Sequence, residues 1–161
     1  ALICNGAQKI NITLLKSLLH LPCGLLLKNR LAKSAMSDSL TNGKGDSTPA
    51  QAKIYERWAK GGIGLSIVGE VQGDARYPEK PGNLVFHDSS HQKALQTLVK
   101  KATVNGAHLW AQLGHAGALS HPPISKPVGP SALDVSGIQC RGLPVNEVQQ
   151  RMQKQRFLQK M

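Results

Sequence analysis

Three short apolar runs, LAKSAM at 31–36, IGLSIVG at 63–69 and AHLWAQL at 107–113, alternate with segments patterned as capped amphipathic helices. This alternation constrains the fold more than any other feature of the chain. Each run has strand length and lacks a helical period. Between the first two, STPAQAKIYERWAKGG offers Ser47 or Thr48 as a cap, Pro49 at the first helical position and Gly61 as the stop. Its apolar face is Ala52, Tyr55, Trp58 and Ala59. Between the second and third runs, DSSHQKALQTLVKKATVNGAH repeats the plan, with Ser89 or Ser90 as cap, Leu95, Leu98, Val99 and Ala102 on one face, and Gly106 beyond the end. Antiparallel neighbours need no helix between them, so the order predicts parallel strands joined by right-handed crossovers. The expected class is α/β. Residues 114–142, rich in Gly, Pro and Ser, read as a long loop, and residues 144–161 as a further helix with Val148, Met152 and Leu158 on its apolar side.

Charge and cysteine usage narrow the partners. A formal charge of +11 attracts acidic ligands of every kind, but the 20 Lys and Arg are scattered, with Lys100 and Lys101 the only adjacent pair. Aromatic residues make up 4% of the chain, too few for base-stacking platforms. The expectation is therefore no nucleic-acid partner, with a basic nucleic-acid binder as one alternative. Cys4, Cys23 and Cys140 fit neither a disulfide framework nor paired zinc spacing and point to a reducing compartment. In ITLLKSLLHLPCGLLL at 12–27, Lys16, His20 and Pro22 interrupt a run already shorter than the ~20 residues of a membrane span. No membrane association is expected. The first 37 residues lack Asp and Glu but hold only one arginine, Arg30, so the cytoplasm is the expected location and a mitochondrial address the alternative.

Gly61-Gly62-Ile63-Gly64 resembles a dinucleotide loop in composition only, because these glycines close a helix and enter a strand, the reverse of a phosphate-binding turn. His87 and His91 stand four apart without a third ligand, and no metal site is expected. The strand exits carry more. In parallel α/β folds ligands sit at the carboxyl edge, where this chain places Ala35-Met36-Ser37, Gly69-Glu70-Val71 and Gln112-Leu113-Gly114-His115. Small residues admit a flat ligand, Ser37 offers a hydroxyl, and Gln112 offers an amide donor and acceptor that match a ring edge with carbonyl and NH groups. Alternatively, Gln112 and His115 satisfy backbone groups of the following turn.

The runs LKNRLAKSAMSD, YERWAKGGIGLSIVGEVQ, EKPGNLV and WAQLGHAG, in this order, resemble the amino-terminal part of the Old Yellow Enzyme family of FMN-dependent NADH:flavin oxidoreductases. The likeness runs from about residue 21 to about 131, and the segment from Leu143 is similar to the family's next helix. It implies a (β/α)8 barrel of TIM type with FMN at its carboxyl end, and hydride transfer from NADH or NADPH through FMN to an activated alkene. By the same resemblance Ala35 and Met36 line the flavin ring, Ser37 stands near a flavin carbonyl, Val71 lies at the flavin-facing turn of the second strand, and Gln112 reads the pyrimidine edge. The family often has proline where Ala35 stands and arginine where Ala118 stands. Its substrate-binding histidines and proton donor fall on later strands, so no catalytic residue is assigned.

A closed barrel takes ~250 residues, so this chain is expected to form a partial barrel of about three βα units, with residues 1–20 as a leader. Such a piece exposes strand edges, and poor solubility, self-association and failure to retain FMN are expected of it. A non-catalytic interaction module that pairs with a full-length homologue is the second alternative.

Overall fold

The computed structural model describes residues 12–86, 92–144 and 146–147. The expected caps Ser89 and Ser90, the pair His87 and His91, and nearly all of the helix expected over 144–161 lie outside the described residues. A single helical turn, α1 (Ile12–Leu15), leads into a small antiparallel hairpin of β1 (Leu19–His20) and β2 (Leu26–Leu27). The apolar stretch at 12–27 is thus folded back on itself. No helix among the described residues is long and apolar enough to cross a membrane.

The body of the chain is a parallel sheet in the order β3 (Ala32–Met36), β4 (Leu65–Gln72) and β5 (His108–Gly114). Helix α2 (Pro49–Lys60) joins β3 to β4, and α3 (Gln92–Ala102) joins β4 to β5, as the alternation predicts. Of the two candidate caps of α2 it is Thr48 that acts: its hydroxyl accepts from the Gln51 amide at 3.2 Å and donates to the Leu40 carbonyl at 2.6 Å. Pro49 opens the helix, where its missing N–H costs nothing. Gly61 is the last residue in right-handed geometry, and the left-handed turn falls one residue later, at Gly62 with φ +98°.

Both helices pack on one face of the sheet. Ala52 and Tyr55 of α2 meet Leu98 and Ala102 of α3 over Val68 and Val71 of β4, with Trp58, Leu95, Leu109 and Leu113 against them. Fully burying a side chain such as Leu98 contributes ~1.5–3 kcal/mol. Val99, expected on the same face, is 42% exposed. The stripe that reaches the core is Leu95, Leu98 and Ala102, a three-four spacing that turns Val99 to the flank. Lys33 is an unexpected member of this layer. It lies on the helix side of β3, 8% exposed, with Nζ 5.2 Å and 5.1 Å from the ring centroids of Tyr55 and Trp58 and donating to the Ile67 carbonyl at 2.8 Å. Burial lowers its pKa, and the charge of Asp38 only partly opposes this.

The long loop expected over 114–142 needs correction. It contains a 3-10 turn at Gly117–Leu119 and three short strands, β6 (Val128–Gly129), β7 (Leu133–Val135) and β8 (Ile138–Gly142). β7 and β8 form a hairpin turning at Gly137, and β6 pairs in parallel with β8. Strands of two to five residues carry too little alternation to stand out against their Gly and Pro neighbours.

Candidate functional site

The exits of β3, β4 and β5 lie side by side, since Met36 pairs with Val68, Val71 with Leu113 and Gln72 with Gly114. Neither pairing is regular. On β4 the two residues Gly69 and Glu70 stand opposite the single residue Gln112 of β5, and on β3 Ser34 and Ala35 stand opposite Ile67. These are β-bulges, which bend a strand and re-aim its side chains. Gly69 makes the bulge possible, because a Cβ there would lie 2.6 Å from backbone atoms of Met36. Glu70 adopts φ +55°, a left-handed conformation uncommon for a non-glycine residue.

A hydrogen-bonded frame surrounds this residue. The Glu70 amide donates to Gln112 Oε1 at 3.3 Å, and Gln72 Nε2 donates to the Glu70 carbonyl at 3.3 Å. Its carboxylate accepts from Asn83 Nδ2 at 3.0 Å and faces Lys80 Nζ at 4.0 Å. The carboxyl is held below the usual glutamate range, chiefly by the Ser37 hydroxyl, with desolvation opposing and the Asn83 amide and Lys80 charge adding smaller contributions. Asn83 is itself buried and accepts from the Lys80 amide at 2.7 Å, so the donor is fixed before it meets the carboxylate.

Beyond the exits opens a concavity of about 270 Å³ lined by Glu70, Gln72, Glu79, Gln112, Leu113, Gly114, His115, Ala116 and Leu119. Met36 is 50% and Trp110 is 42% exposed, adding apolar surface to the sheet. His115 accepts the Gly117 amide at Nδ1, 3.0 Å away, and lies against Tyr77 with ring centroids 5.2 Å apart. A neutral imidazole that accepts at Nδ1 carries its proton on Nε2.

The structure brings Met36, Ser37, Glu70 and Gln112 to one edge, with Ala35 on the β3 bulge. Val71 is placed differently. Its side chain is 0% exposed in the helix-side core, so only its backbone is directed to the edge. The alternative role for Gln112 and His115 is met by His115, which satisfies its own turn, while Gln112 binds a backbone group of the neighbouring strand and Gln72 satisfies the Ala116 amide after β5 at 3.2 Å. The sequence places Glu70 at the β4 exit without assigning it a role, and does not point to Gln72 or Asn83. The available signal was a carboxylate and an amide closing the otherwise apolar LSIVGEVQ, a costly place for them without partners. Among the described residues no group of His, Cys, Asp and Glu could hold a metal ion.

Three parallel strands joined by two helices, with level, bulged exits on one edge, have the architecture of part of a (β/α)8 barrel. In agreement, the structure overlays on Old Yellow Enzyme from Pichia sp. AKU4542 with a TM-score of 0.77 at 17% identity, over 88% of this chain and 40% of that one. It overlays on a 2-naphthoyl-CoA reductase with a TM-score of 0.75 at 22% identity, over 88% and 24% of the two chains. The family model for the NADH:flavin oxidoreductase / NADH oxidase family matches residues 23–160, and the chain belongs to that family. It is 32% identical over 123 residues to the NADH-dependent flavin oxidoreductase iliE of Hypocrea jecorina (strain QM6a), a match covering 70% of this chain and 31% of that protein. It is 31% identical over 138 residues to an NADH oxidase of Thermoanaerobacter brockii, covering 81% and 21%. The chain thus spans about a fifth to a third of the length of these relatives.

Proposed function

We propose that residues 1–161 form part of the FMN-binding barrel of an NAD(P)H-dependent flavin oxidoreductase, and that Ala35, Met36, Ser37, the Val71 backbone and Gln112 cradle the flavin ring. The observation that carries this reading is the convergence of Met36, Glu70 and Gln112 on one bulged edge, with Gln112 Oε1 engaged by the Glu70 amide. The residues fit a flat heteroaromatic ring: exposed Met36 offers an apolar face, and the Gln112 amide offers Nε2 protons to a ring carbonyl with an oxygen lone pair beside them. They do not fit a phosphate, since the concavity is lined by Glu70 and Glu79 and by no Lys or Arg. The phosphate end of the cofactor would therefore lie away from this concavity.

FMN, when bound, supplies hydride transfer between a reduced nicotinamide and a small-molecule acceptor such as an activated alkene, while protein groups orient and tune it. The role of this chain is then to hold the ring edge and to present Ser37 near it. The widely spaced cysteines support a reducing compartment, the cytoplasm first.

The test is an absorbance titration near the flavin bands. The purified chain is expected to retain little FMN, lacking a phosphate grip at this edge. Added FMN should nevertheless give a saturable shift in the flavin bands that Gln112→Leu abolishes. No shift at millimolar FMN, or a shift indifferent to Gln112→Leu, overturns the reading.

A further inference from the structure

Among the groups at the barrel edge, Glu70 is the one whose conformation and contacts the ring-cradle reading does not explain. A left-handed glutamate costs about 1–3 kcal/mol and persists only where its surroundings over-determine it. Here both sides of its peptide and its carboxylate are engaged at once, by Gln112, Gln72, Asn83 and Lys80. A backbone N–H can only donate, so the part of the Gln112 amide facing Glu70 has to be the oxygen. Nε2 is then turned away from Glu70.

We infer that Glu70 is a positioning residue: its carboxylate, latched by Asn83, holds the backbone N–H of the β4 bulge against Gln112 Oε1 and so sets the Gln112 amide in one orientation before any ligand arrives. The chain, rather than the ligand, thereby selects an acceptor atom as the group opposite Nε2. Preorganisation of this kind removes the ordering cost of a polar side chain from binding. The inference deepens the flavin-edge reading and rests on it only for the identity of the ligand. Lys80 faces the carboxylate at 4.0 Å, and Glu79 and His115 line the same concavity, so the hydrogen bond that fixes the carboxylate is the one from Asn83.

Two substitutions separate the carboxylate from the backbone. Glu70→Gly keeps the N–H and favours positive φ but removes the latch. Glu70→Gln keeps an oxygen for Asn83. The readout is the side-chain 15N order parameter of Gln112 Nε2, measured without flavin and assigned by its loss in Gln112→Leu. It should be about 0.8 in the wild type and Glu70→Gln, and fall below about 0.6 in Glu70→Gly. A mobile Gln112 in the wild type, an unchanged one in Glu70→Gly, or release in Glu70→Gln as well overturns the assignment. FMN titration distinguishes the two readings: FMN should move the Gln112 Nε2 signals and bind roughly fivefold to tenfold more weakly to Glu70→Gly, the ordering cost of one side chain. If the order parameters behave as stated while FMN leaves Gln112 unmoved, the positioning role is upheld and the flavin reading alone falls.

Discussion

Gly69 and Glu70 show how much of the site rests on single residues to which pattern reading gives a place but no role. Gly69→Ala would drive a Cβ to 2.6 Å from the Met36 backbone, which has no flexible end to give way. The expected cost is about 2–3 kcal/mol, measured as a lowered urea midpoint. Glu70 gives a pH dependence whose sign is fixed by its lowered folded pKa. Its stabilisation is complete above the ordinary glutamate range, about 4.3, and is lost as pH falls through the lower folded value. The wild type should therefore lose stability relative to Glu70→Gln as denaturation is repeated from pH 6 down to about pH 3; parallel acid profiles contradict it. Lys33 was equally hidden. Nothing in LAKSAM marks a buried lysine whose Nζ lies over Tyr55 and Trp58, because the aromatic partners lie 22 and 25 positions away.

At the scale of elements the reading from sequence holds where periodicity is strong. The three central strands and two helices were legible because caps, stops and apolar spacing agree within each segment. Thr48→Ala removes a cap and a bond to Leu40, and should cost ~1 kcal/mol or somewhat more. Leu98→Ala empties a fully buried position between α3 and β4 and should cost about 2–5 kcal/mol, read from the same denaturation curves. What failed at this scale were the β6, β7 and β8 strands. Their pairing depends on meeting one another across turns, a tertiary event that two-residue patterns such as Val128–Gly129 cannot announce.

The whole molecule adds a surface that no single element implies. Among the described residues β3 and β5 pair with β4 alone, so each has an outer edge of unpaired N–H and C=O groups, next to the exposed Met36 and Trp110. Self-association is the expected outcome at concentrations on the order of 10 μM and above. Sedimentation velocity should show species larger than a monomer that grow with concentration, and a sharp monomer boundary throughout would contradict this. Raising salt should favour the larger species, since the formal charge of +11 keeps copies apart at low ionic strength.

Strand, helix and strand order were determined by the sequence alone, because a capped amphipathic period is a local property that each segment carries in full. So was the residue content of the three exits, including Met36, Ser37 and Gln112. The tertiary structure decided which way those residues act. It set the bulges opposite Ile67 and Gln112, turned Val71 into the core, and brought Asn83 to Glu70. Register and side-chain aim depend on contacts between strands more than thirty residues apart, and that information exists only once the strands have met.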